Sequence, residues 1–155
     1  MSIDLLEPEA ININRPYLQT PVDDLWSFYY VGQWAAAYSS KFLDPEKLSE
    51  LLLRLRNNLA GSLYQRGHAT GTVTDSEVQL LASDYGTFLV ESQSLLAPWY
   101  SKLKRLSANW TNKMRSFTPA PEDRYKEYYP LFKEYTRKGV VEYLRLLVEE
   151  YDRLE

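Results

Sequence analysis

Leu48, Leu52, Leu55, Leu59 and Leu63 recur at steps of four and three residues, and no other feature constrains the fold of this chain as tightly. Side chains at that spacing stack on one face of an α-helix, whereas along a strand they would scatter over both sides. The ladder predicts a helix that opens at Asp44-Pro45-Glu46 and stops at Gly67. Ahead of it, Thr20-Pro21 followed by Asp23 and Asp24 reads as a capped helix start with acids near the positive end of the dipole. That helix runs to about Phe42, and because Trp26, Phe28, Tyr29, Tyr30, Val31 and Trp34 occupy more than one face, it is expected to be covered on most sides.

After a Gly67 to Thr74 loop, Thr74 with Glu77 forms a capping box, and Val78, Leu81, Tyr85, Phe88, Ser92 and Leu95 trace a third helix that ends or kinks near Pro98. A fourth, over about 98–117, places Trp99, Leu103, Leu106, Trp110, Met114 and Phe117 on one arc. Thr118-Pro119-Ala120-Pro121 reads as a rigid linker, Glu122 and Asp123 open a fifth segment that Pro130 interrupts, and the last helix follows Gly139. In that last helix Val140, Leu144, Leu147, Tyr151 and Leu154 repeat with heptad-like spacing, and Glu142 with Arg145 and Glu149 with Arg153 are placed to pair. Upstream, Pro8, Pro16 and Pro21 interrupt any helix while Ile11 to Asn14 alternate. The expected fold is therefore all-α, a single helical bundle of five to six helices over residues 21–155 behind an extended N-terminal arm, residues 1–20.

Composition narrows the function. The chain of 155 residues is 45% apolar and 25% charged, as an ordinary globular protein is. It has no cysteine, which excludes disulfides, thiolate metal sites and a cysteine nucleophile and suits a reducing cytoplasm. Asp4, Glu7 and Glu9 stand where a signal peptide would be basic and then apolar, so a cytoplasmic protein that keeps its start is expected. Leu25 to Ser40, the longest uncharged segment, is shorter than the roughly twenty residues a bilayer requires. No membrane partner is expected.

Catalytic sets are missing. His68, the only histidine, sits between Gly67 and Gly71, and one imidazole supports neither a conventional zinc site nor a Ser-His-Asp relay. The same glycines lack the Lys-Ser/Thr of a phosphate loop. Glu77, Asp84 and Glu91 line one helix face without the Glu-x-x-His pairs of a di-iron site, and read as a solvated stripe. The expectation is a protein that is not an enzyme and holds no cofactor and no metal.

The asymmetry that remains is basic. Thirty residues between Glu91 and Glu122 contain no acid, and they carry Lys102, Lys104, Arg105, Lys113 and Arg115 in a chain of net charge -3. Helical geometry puts Lys102, Arg105, Asn109, Asn112 and Lys113 on one side, with Lys104 and Arg115 on another. Lys and Arg with interspersed Asn suit phosphate oxygens, since they offer charge and donors without reading a base sequence. A second run, Arg124 to Lys138, alternates cations with Tyr128, Tyr129, Phe132 and Tyr135, rings that could stack the bases of a single strand.

A cysteine-free helical chain of this size, with Arg54, Arg56 and the Lys102 to Arg115 stripe, resembles the small subunit of multi-subunit CRISPR interference complexes. The resemblance implies a helical bundle that lies alongside other protein subunits and holds the backbone of RNA or single-stranded DNA. It would make Lys102, Lys104, Arg105, Lys113, Arg115, Arg54 and Arg56 backbone contacts. A protein-only adaptor, docking through the aromatic first helix and the acidic last one (Glu142, Glu149, Glu150, Asp152 and Glu155), is the competing expectation.

Overall fold

The computed structural model describes residues 19–38, 49–74, 87–117 and 124–154. The described residues form six α-helices and no strand: α1 (Pro21–Tyr38), α2 (Glu50–Ala60), α3 (Leu63–Thr74), α4 (Thr87–Glu91), α5 (Gln93–Arg115) and α6 (Arg124–Leu154). The fold class is all-α, as the periodicity requires. The arm, the Asp44 helix start, the Glu77 and Asp84 positions and the proline linker lie outside the described residues. Two compact units emerge, one from the described residues up to Ser27 together with those from Trp99 onward, the other from Phe28 to Pro98.

In the first unit, the opening turns of α1 pack with α5 and α6. Thr20 caps α1 reciprocally: its backbone N–H and hydroxyl both donate to Asp23 Oδ2 at 2.8 Å, and the Asp23 N–H donates back to the Thr20 hydroxyl at 3.3 Å. That fixes the helix entry so that Val22, Leu25 and Trp26 are buried. Trp26 donates from its indole to Ser107 Oγ at 2.8 Å and meets the Tyr100 ring edge-on. Trp99 stacks on Tyr143 with centroids 4.1 Å apart, and Trp110 meets Phe132 and Tyr135.

Two predicted boundaries disappear inside α6. Pro130 does not interrupt the helix and Gly139 does not start one, because α6 runs 31 residues through both. Proline in a helix interior costs about 3 kcal/mol, but Leu131 and Tyr135 on its C-terminal side are buried, and Tyr128 on its N-terminal side meets Phe117. Tertiary packing on both sides outweighs the lost hydrogen bond. Gly139 is a contact residue: a Cβ there would run into Leu25 Cδ1 and come within 3.2 Å of Leu106 Cδ2. Only glycine lets α6 approach α1 and α5 so closely.

The second unit packs the rest of α1 with α2, α3, α4 and the start of α5 around Tyr29, Leu52, Leu55, Leu59, Ala69, Leu89 and Leu96. Leu52, Leu55 and Leu59 of the leucine ladder face this core as expected, but their helix is shorter. Ser49 caps α2, accepting from the Leu52 N–H at 3.1 Å, and the helix ends at Gly61. There a second capping box starts α3: the Ser62 N–H donates to Gln65 Oε1 at 2.8 Å while the Gln65 N–H donates to Ser62 Oγ at 3.4 Å. A Cβ on Gly61 would collide with that Gln65 side chain. The expected Gly67 to Thr74 loop is accordingly helix, because the cap is in place and Ala69 and Thr70 are buried, while His68 points outward in an exposed position.

Pro98 likewise lies within α5, and the chain breaks earlier, at Ser92. The Ser92 hydroxyl donates to the Phe88 carbonyl at 2.7 Å and that of Ser94 to the Glu91 carbonyl at 2.8 Å, so two carbonyls around the break keep donors. Coverage of α1 is also incomplete. Tyr29, Gln33, Ala36 and Ala37 are buried, whereas Phe28 is 63% and Val31 67% exposed, with Trp34 and Tyr38 stacked beside them.

Candidate nucleic-acid interface

The acid-free stretch becomes most of α5, and its apolar arc anchors it: Trp99, Leu103 and Trp110 are buried. Cations next to that arc are thereby fixed at the edge of the core. Lys102, Arg105 and Asn109 of α5 stand opposite Lys138 and Glu142 of α6, around a recess of about 260 Å³ whose floor is Trp99, Leu103, Leu106 and Gly139. The missing side chain at Gly139 brings the two helices close enough to make both walls. Lys104 and Arg105 are exposed on α5, as are Lys113 and Arg115 in its last turn. Cations there also complement the negative end of the helix dipole.

Lys102 is the most constrained of these. Its ammonium donates to Glu142 Oε2 at 2.5 Å, forty residues away in sequence, and Arg145 approaches the other carboxylate oxygen at 3.2 Å. The Lys102 hydrogen bond, the largest influence, holds the Glu142 carboxyl below its ordinary value against the opposing effect of burial, helped by the charges of Lys102, Arg145 and Arg105. A second pair sits earlier in α6, where Lys138 donates to Glu134 at 2.5 Å. The bond lowers Glu134 and raises Lys138. Lys113 adds a smaller attraction to Glu134, which places that end of α5 beside α6 as well.

The face extends beyond the residues the sequence nominated. Lys133, Arg137, Lys138 and Arg145 border a shallower depression along α6 with Pro130 and Val141. Arg145 is the addition; its signal is the spacing Lys138, Glu142, Arg145, one helix face turned along α5. Two carboxylates, Glu134 and Glu142, interrupt an otherwise cationic surface. Lys104 leans over the Tyr100 ring at 5.9 Å, on the other side of α5.

Of the two roles open to the aromatic residues between the α6 cations, stacking platform or core, the packing favours the core. Tyr135 is buried against Trp110, Tyr128 meets Phe117 and Phe132, and Tyr129 alone of the four is exposed. A helix carrying rings at three- and four-residue steps turns them inward together, so these rings build the core. The Tyr135 ring, buried in those contacts, is closed to base stacking.

Arg54 and Arg56 belong to the second unit. Arg54 is exposed and pairs with Glu50 one turn back at 3.3 Å. Arg56 turns inward: its Nε donates to the Ala37 carbonyl at 2.8 Å, its guanidinium lies 4.7 Å over the Tyr38 ring, and Tyr38 donates from its hydroxyl to the Arg56 carbonyl. Among the described residues, no three His, Cys, Asp or Glu side chains come together as metal ligands, and no helix is long and apolar enough to cross a membrane. No family model, curated protein or solved structure matches the chain.

Proposed function

We propose that this chain is a non-enzymatic subunit of a larger nucleoprotein assembly, and that it holds the backbone of RNA or single-stranded DNA along the basic face of α5 and α6. The observation that carries the reading is the recess between those helices. Lys102, Arg105 and Asn109 face Lys138 across an apolar floor, in a chain whose net charge is -3. Concentrating cations on one face of an acidic protein favours a polyanion there and nowhere else. The glutamates act as internal partners that hold Lys102 and Lys138 in place; a phosphate oxygen can replace a carboxylate without a change in donor geometry. The resemblance to the small subunits of CRISPR interference complexes fits this reading, with other protein subunits as neighbours and the strand passing over the exposed Arg105, Lys113 and Arg115. Base identity would go unread, because donors of this type meet phosphates.

Ultraviolet crosslinking of the native assembly, isolated at low salt and digested to peptides, tests the reading. Crosslinks to peptides of α5 and the first half of α6 are expected, and an assembly that carries no nucleic acid would refute it. A second reading is favoured by the exposed Phe28, Val31, Trp34 and Tyr38 of α1, which follow one another down one helix side. A protein-only adaptor would dock through that stripe, and peptide crosslinks to α1 without any nucleic acid are its signature.

A further inference from the structure

The buried side of α6 is drawn by Leu131, Tyr135, Gly139 and Leu146. On the opposite side of the same helix, over its last two heptads, stand Val141, Leu144, Val148 and Tyr151, at steps of three, four and three. Val141 is 37% exposed, Leu144 53%, Val148 59% and Tyr151 61%. Solvated helix faces carry polar residues, and a 3-4-3 apolar repeat facing outward is the seam of a two-helix coiled coil. Val140, also exposed, and the half-covered Leu147 broaden it on one edge.

We propose that this seam binds a second copy of the chain, with the two α6 helices antiparallel about a twofold axis between Leu144 and Val148. In that register Val141 packs on the copy's Tyr151, and Leu144 on the copy's Val148. The charge pattern selects the occupant and its direction. The flank of the seam is basic toward the middle of α6, at Lys138 and Arg145, and acidic toward its end, at Asp152. Antiparallel pairing sets Lys138 opposite the copy's Asp152, twice by symmetry. Parallel pairing would instead set Lys138 beside the copy's Lys133, cation against cation, and Asp152 beside the apolar Leu147, which disfavours it. Arg145 meets its own copy near the axis, and its bond to Glu142 offsets that repulsion. Two heptads of helix span only about 20 Å at 1.5 Å per residue, and a helix-to-helix contact that short buries less than the roughly 800 Å² per partner of a standard interface. The dimer is therefore concentration-dependent.

Sedimentation equilibrium of the full chain without nucleic acid, from about 1 µM to about 300 µM, reads the association directly. A monomer–dimer equilibrium is expected. Leu144→Glu and Val148→Glu alter exposed positions, so circular dichroism should be unchanged while dimerisation weakens by about tenfold or more. Lys138→Glu alone should weaken it, and Lys138→Glu with Asp152→Lys should restore it, a rescue that parallel pairing does not give. A monomer throughout the range overturns the proposal, including the case in which a different protein is found on the seam. A dimer indifferent to Leu144→Glu and Val148→Glu overturns it as well.

Discussion

The two units use their cations differently. In the Phe28–Pro98 unit Arg56 is a structural tie whose guanidinium holds the Ala37 carbonyl and covers Tyr38. In the other unit aromatic pairs do the tying, through Trp26, Trp99 and Trp110. Arg105, Lys113 and Arg115 are thus left at the surface with no part in the core. Basic residues on a helix are candidates for a polyanion only after the packing has shown which of them it already uses. The glycines make the same contrast: a Cβ on Gly139 would strike Leu25, while a Cβ on Gly67 or Gly71 in α3 would meet nothing within 4 Å.

The largest expected effect tests the leucine core of the second unit. Leu55→Ala, at a position 3% exposed, should lower unfolding free energy by about 2–5 kcal/mol in urea titrations, and a change within error would mean that α2 does not bury its ladder. Gly139→Ala comes next. Overpacking against Leu25 and Leu106 should cost about 1–3 kcal/mol, even though alanine is the better helix former. The same substitution at Gly67, in open space on a helix, should instead stabilise by about 0.5–1 kcal/mol. Equal signs at the two glycines would erase the contrast, and a loss at Gly67 would restore the loop in place of α3.

The smallest effect concerns pH. The Glu142 carboxyl is depressed in the folded state chiefly by the Lys102 hydrogen bond. Its contribution is complete above the ordinary unfolded carboxylate pKa of about 4.3 and is lost as pH falls through the lower folded value. Glu142→Gln should therefore be less stable than the parent chain at neutral pH, with the gap closing on acidification below about pH 4. A gap independent of pH would show that the Lys102 bridge does not hold the charge.

Local signals in the sequence were sufficient for the helix at Thr20, the inward face of the leucine ladder and the arc from Trp99 to Trp110. They failed where distant packing decides. Nothing near Pro130 or Gly139 reveals that Trp110, Leu25 and Leu106 press on either side of them, and so one helix reads as two. The α2–α3 break was legible in principle, since Ser62 and Gln65 have capping-box spacing, but Gly67 and Gly71 are the louder punctuation. At the site, the acid-free run pointed to α5. Its strongest contact, Lys102 with Glu142, joins residues forty apart, and Arg153 pairs with Glu150 in preference to Glu149. The rings of α6 stay ambiguous in the sequence for a physical reason, because their spacing suits a core as well as a stacking platform.

A polyanion on the α5/α6 face would be held by charge, and the salt dependence of binding in the assembled complex reads that charge directly. Affinity for single-stranded homopolymers of different bases should be equal. Its logarithm should fall linearly with that of salt, by roughly 0.7 per phosphate contact. Combining Arg105→Glu and Lys113→Glu with Lys102→Gln should weaken binding and flatten the slope by about 2. Lys102 takes glutamine because a glutamate there would face Glu142. Unchanged affinity and slope in a variant that folds and assembles would contradict the account, leaving these cations as ordinary solvated surface.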